Sequence, residues 1–159
     1  MQTFLSPERG LVGTTLYGVN SFYRPPYRVH TKDSEFSLEG VEALPRVDIF
    51  YMHAGFSADL IDSAVAGGAR GLVIAGVGNG NMTGAAQAAV ARAVAAGVAV
   101  VRSSRVPSGA TGRNVEFSDD DNGTVAAGEL NPAKARILLK LALLTTSDAG
   151  AVQAYFDRY

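Results

Sequence analysis

Residues 71–101 read GLVIAGVGNGNMTGAAQAAVARAVAAGVAVV. The stretch opens with a continuous apolar run, Gly71–Ala75 (GLVIA), followed by a glycine-rich turn, Gly76–Asn81 (GVGNGN). Next comes a segment with Met82, Ala86, Ala89, Val90 and Ala93 on one helical stripe. Gly97 stops it, and a second apolar run, Val98–Val101 (VAVV), resumes. Two unbroken apolar strands joined by an amphipathic helix form a βαβ unit, whose parallel sheet is covered on both faces.

The same alternation extends outward on both sides. Upstream, Val47–Tyr51 (VDIFY) is a short buried-strand candidate. Ser57 is placed to cap a helix with Leu60, Ile61, Ala64 and Val65 on one face, stopped at Gly67–Gly68. Downstream, a polar loop runs from Arg102 to about Asn122. Asn131–Pro132 then supplies an N-cap with proline at N1, opening a helix through Ile137, Leu138, Leu141 and Ala142. Asp148 caps a last helix with Val152, Tyr155 and Phe156 inward. The expected fold is α/β: a small parallel sheet with helices on both faces, Rossmann-like or flavodoxin-like, over residues 46–159. Residues 1–30, rich in Thr, Tyr, Val and Phe and punctuated by glycine, read as short strands and a hairpin with no second layer of their own. Residues 31–45 read as a polar linker or crossing segment.

Composition narrows the function classes. The 159 residues carry 14 Lys+Arg against 15 Asp+Glu, a net charge of -1, with no Cys and no Trp. A chain of about 150 residues buries roughly 70% of its unfolded surface, enough for a real core. The lack of cysteine excludes disulfides, Cys-ligated metal and a thiol nucleophile. Near-neutral charge argues against a nucleic-acid partner, and no apolar run reaches the roughly 18–20 residues of a membrane span. The opening MQTFLSPERG lacks the apolar core of a signal peptide.

Ligands of such sheets bind outside the carboxyl ends of the strands, which points to the loops after Tyr51, Ala75 and Val101. GVGNGN leaves a strand and opens a helix, so its backbone N–H groups and the helix N-terminus could meet an anion or carboxylate, or form a turn with no ligand. Followed by Arg102-Ser103-Ser104-Arg105, it also suggests an NADP site, although Asn81 stands where the third fingerprint glycine belongs. In the long loop, Glu116 sits between Val115 and Phe117, while Asp119, Asp120 and Asp121 read as a solvated acidic run without calcium-loop spacing. His53 reads as a hydrogen-bonded structural histidine and His30 as a surface one. Ser103, Ser104, Ser108 and Thr111 have no partnered base, so no nucleophile is assigned.

Four separated motifs occur in order: LPRVDIFY at 44–51, GVGNGN at 76–81, RSSRVPSGAT at 102–111 and LNPAKARILL at 130–139. Together they resemble the C-terminal part of bacterial type II L-asparaginases, from about Thr3 to Tyr159. The resemblance implies hydrolysis of L-asparagine to L-aspartate and ammonia, with L-glutamine as an alternative substrate and no cofactor. In that family a larger N-terminal domain carries the catalytic threonines in T-G-G-T-I-A and H-G-T-D-T motifs. Neither motif occurs here, so catalytic residues are expected outside this chain and the chain alone is expected to be inactive. Residues 1–30 resemble the last strands of that domain, 31–45 the interdomain crossing and 46–159 the C-terminal domain.

The resemblance further implies a homo-oligomer, dimer or tetramer, in which this domain lends Asn81 and Glu116 to a neighbouring subunit's site as substrate-binding residues, with no metal. The partners expected are the N-terminal domain and the amino-acid substrate, with no nucleic acid and no membrane. Relatives of this type are often periplasmic or secreted. A stand-alone binding or assembly module without catalysis is the alternative reading, and an NADP-binding domain is a third.

Overall fold

The computed structural model describes residue 6 and residues 8–159. Residues 1–5 and 7 of the expected N-terminal segment lie outside the described residues. Strands β1 (Gly13–Leu16) and β2 (Val19–Phe22) pair antiparallel. Their two-residue turn, Tyr17-Gly18, has both φ values positive, at 49° and 79°. That backbone matches the twist of a tight hairpin. Leu16, Val19 and Phe22 are exposed by 65% or more, so among the described residues the apolar hairpin has no covering layer. It is tethered at its base, where Arg9 Nε and Tyr27 Oη both donate to Glu129 Oε2 at 2.9 Å. The polar segment 31–45 crosses the domain with one short 3-10 turn and sets Phe36 against Tyr155 and Tyr159, with ring centroids 4.9 and 5.1 Å apart.

β3 (Val47–Tyr51), β4 (Gly71–Gly76), β5 (Ala99–Ser104) and β6 (Thr124–Ala126) form one parallel sheet in the order β3-β4-β5-β6. The register aligns Ile49, Val73, Val101 and Val125 in one row across it. Helices α1 (Asp59–Ala66) and α2 (Gly84–Ala95) cover one face, burying Met52, Ile61, Leu72, Ile74, Val90 and Val100. Helices α4 (Pro132–Ala142) and α5 (Ala149–Arg158) cover the other, with Val73, Val101, Leu139, Val152 and Phe156 at its centre. Each such side chain contributes roughly 1.5–3 kcal/mol on burial, which is what drives the layers together. A four-residue helix, α3 (Asp119–Asn122), precedes β6.

Several local expectations need correction. The sheet has a fourth strand, β6, where the sequence reading named three. β3 is an edge strand, so only Val47 of its five residues is fully buried. Ser57 makes no side-chain cap; α1 starts after Ala58, which has no capping side chain. Leu60 and Ile137 are half exposed: α1 buries Ile61 and Ala64 of the expected face, and α4 is rotated to bury Leu139 in place of Ile137. Met82 precedes α2, which Thr83 caps by accepting from Ala86 N. β5 continues through Ser104, so the long loop begins at 105 and Arg102 belongs to the strand. Asn131 and Asp148 cap α4 and α5 as expected.

At each edge of the sheet one residue has outward backbone groups engaged by a side chain. Gln153, on α5, accepts from Ala126 N at 2.9 Å and donates to Ala126 O at 3.2 Å. Arg136 Nε donates to Val47 O at 2.7 Å. Among the described residues no helix is long and apolar enough to cross a membrane.

Candidate functional site

Because the strands are parallel, the loops leaving β4 and β5 emerge side by side at one rim of the sheet. The β4 loop closes a tight turn before α2 begins at Gly84. It folds on itself: Val77 and Asn81 exchange backbone hydrogen bonds at 2.9 Å in each direction. Gly78 and Gly80, at φ 54° and 77°, close the turn between them in a region that disfavours side chains. Asn81 is thereby held at the foot of a tight three-residue loop, on the exposed rim.

Glu116 reaches the same place from the β5 loop. Asn81 Nδ2 donates to Glu116 Oε2 at 2.5 Å, joining two residues 35 positions apart. Val115 is exposed, so the apolar bracket expected around Glu116 forms only on the Phe117 side, where the ring is half-buried. Among the described residues no lysine or arginine forms an ion pair with Glu116. The carboxylate therefore keeps its negative charge available to a ligand, while the Asn81 amide retains its oxygen as an acceptor.

Beneath this pair lies a network that sequence reasoning missed. Arg102 is fully buried and forks onto Asp119, with Nε–Oδ1 at 2.7 Å and Nη2–Oδ2 at 2.6 Å. Its remaining donors reach Asn79 O at 2.9 Å and Gly112 O at 3.1 Å. The Asn79 side chain ties the two loops directly, accepting from Gly112 N at 2.7 Å. Asp119 also accepts from Asn114 N at 3.1 Å and Thr124 Oγ1 at 2.7 Å. Burial opposes ionisation of Asp119, but these donors prevail and hold its carboxyl below the ordinary value.

The acidic run is therefore not uniformly solvated. Asp119 is a buried ion-pair partner, whereas Asp120, paired with Arg113, and Asp121, bonded to Ser118, are exposed as expected. The NADP reading loses its first arginine, since Arg102 is enclosed and each of its three guanidinium nitrogens already donates to the protein. His53 Nδ1 donates locally to Ala54 O at 2.9 Å, and His30 is exposed. Arg102 and Asp119 carried no sequence signal beyond charge; an arginine ending an apolar strand was the one available hint.

The profile of the Glutaminase/Asparaginase C-terminal domain family matches residues 46–156. The chain is 43% identical over 157 residues to L-asparaginase 2 of Bacillus subtilis, covering 99% of this chain and 41% of that protein. It is 43% identical over 157 residues to L-asparaginase 2 of Escherichia coli, covering 99% and 45%. It is 40% identical over 159 residues to a probable periplasmic L-asparaginase of Haemophilus influenzae, covering 100% and 46%. The chain thus spans less than half the length of these relatives.

Proposed function

The chain belongs to the glutaminase/asparaginase C-terminal domain family, and from that premise we propose that it is the substrate-positioning part of an L-asparaginase. Asn81 and Glu116 are its contribution. The observation that carries this reading is their mutual hydrogen bond on an exposed rim, with the Glu116 charge unclaimed by any described cation. An amino-acid substrate brings an α-ammonium group, which a free carboxylate binds through a charge-assisted hydrogen bond worth about 1.5–3 kcal/mol. The amide orients that carboxylate and has an oxygen left for the substrate.

Bond breaking belongs to the threonine-bearing domain. There a threonine hydroxyl attacks the side-chain amide carbon, ammonia leaves, and water releases L-aspartate from the acyl ester. In this reading residues 1–30 complete that domain, 31–45 cross to the second one, and residues 46–159 meet the site of a neighbouring subunit in a homo-oligomer. L-Glutamine, one methylene longer, is the natural competing substrate.

Ammonia release from L-asparagine, measured with the chain alone and with an added threonine-bearing domain, tests the reading. Activity is expected only on addition. Glu116→Ala is expected to raise KM in the assembled enzyme about tenfold or more, the loss of one charge-assisted contact, without unfolding the domain. Activity from the chain by itself, or an unchanged KM in the variant, would overturn it.

A further inference from the structure

Arg102 and Asp119 are the largest investment of buried charge in the described residues, and the chemistry proposed above does not use them. Both side chains are fully enclosed. Ion pairs of this kind add little stability, since well-packed apolar residues of similar volume usually do as well or better. Their value has to be sought in what an apolar pair could not do.

The geometry supplies it. One guanidinium bonds to a carbonyl of the Asn81 turn (Asn79 O), a carbonyl of the Glu116 loop (Gly112 O) and both oxygens of Asp119. Asp119 in turn holds the Glu116 loop at Asn114 N. Asn114 sits at φ 54°, and its side chain exchanges hydrogen bonds with Asp120 at 2.7 and 3.1 Å. The Phe117 ring closes over Arg102, 5.0 Å from its guanidinium carbon. On the buried side the two loops are thus joined through this pair and through Asn79, in addition to the backbone bond from Arg105 N to Gly76 O at 3.0 Å at their base.

We propose that the Arg102–Asp119 pair is the positioning device of the site, fixing the Asn81 turn against the Glu116 loop so that the two side chains meet the substrate's ammonium group as one preformed unit. The proposal rests on the roles given above to Asn81 and Glu116. Preorganisation of this kind lowers the cost of binding, because the loops need not be ordered when substrate arrives. Arg102 and Asp119 touch no substrate and act only through the loops they hold. Lysine cannot replace the arginine, since a single ammonium cannot span the two carbonyls and the carboxylate in one planar fork.

The test compares Arg102→Lys and Asp119→Asn in the chain assembled with its threonine-bearing domain. Each is expected to raise KM for L-asparagine about tenfold, with a smaller change in kcat, as for loss of substrate positioning. In the chain itself, the Asn81 side-chain amide resonances are expected to move toward those of a free amide. Leu139→Ala, a core truncation, serves as the control: it lowers Tm and leaves KM unchanged. Should neither single variant fold, the double replacement Arg102→Met with Asp119→Leu removes both charges together and preserves packing, and it too is expected to show the raised KM.

A wild-type KM and unmoved Asn81 resonances in any folded one of these variants would overturn the proposal. Glu116→Gln, measured alongside, separates that result from a failure of the functional reading. If Glu116→Gln leaves KM unchanged, it is the role of Glu116 that fails. If it raises KM while the folded Arg102 variant does not, only the positioning role fails.

Discussion

Gly76 is the last residue of β4, and the turn carrying Asn81 folds back directly over it. A Cβ added there would lie 2.2 Å from the carbonyl carbon of Gly80, 2.4 Å from its oxygen and 2.6 Å from Asn81 O. All three are backbone atoms, so no rotamer change relieves the clash. The φ of Gly76 is not positive, which makes the penalty one of space alone. Ordinary contact begins at 3.4 Å, so Gly76→Ala forces the turn outward by about 1.2 Å. Added to the 2.5 Å separation of Asn81 Nδ2 and Glu116 Oε2, that movement breaks their hydrogen bond.

Overpacking of this kind costs about 1–3 kcal/mol, read as a lower urea midpoint at unchanged slope. In the assembled enzyme, a misplacement near 1 Å is expected to lower kcat/KM about a hundredfold. Gly84→Ala is the matched control, because a Cβ there meets nothing within 4 Å. At the start of α2 it is expected to be neutral or stabilising by up to about 1 kcal/mol. A Gly76→Ala chain with wild-type stability and unmoved Asn81 resonances would refute the argument that the turn is rigid against the strand.

Two further outcomes are expected. Asp119 has its carboxyl pKa depressed in the fold, so its contribution is present above the unfolded value and lost as pH falls through the folded one. The stability difference between the wild type and Asp119→Asn is therefore expected to shrink as pH drops below about 4, and a constant difference in urea midpoints from pH 7 to pH 2 would contradict it. The uncovered hairpin is expected to bind a hydrophobic dye, with Leu16→Ser and Phe22→Ser together removing most of the signal and leaving Tm within about 2 °C, since both side chains are largely exposed. Undiminished fluorescence in that double variant would locate the dye elsewhere.

What the sequence disclosed was mostly local or periodic. VDIFY forms a strand with the bounds expected, and Asn131 and Asp148 cap their helices, because each signal lies within a few residues of the bond it makes. Periodicity identified the helical stripes but not their centres, hence the exchange of Ile137 for Leu139. β6 has only three residues, too few for any period, and is defined by β5 beside it. Arg102 and Asp119 looked like loop charges because composition shows a charge without its partner, 17 residues away. The pairing of Asn81 with Glu116 was reached through family resemblance, since no spacing rule links residues on two successive crossovers.

The side chains that engage the sheet's edges have a consequence for how copies of this chain can go wrong. The Gln153 amide occupies both outward groups of the Ala126 peptide, in the place of a fifth strand, and Arg136 occupies the outward carbonyl of Val47 at the opposite edge. Runaway strand-to-strand stacking between molecules would first have to strip those side chains away, and Gln153 is itself almost wholly buried. The β6 edge is thus guarded at Ala126 against templating an aggregate, and the β3 edge at its Val47 carbonyl. The bare hairpin of β1 and β2 has no such guard among the described residues, which makes it the segment to watch when the chain is concentrated or stored.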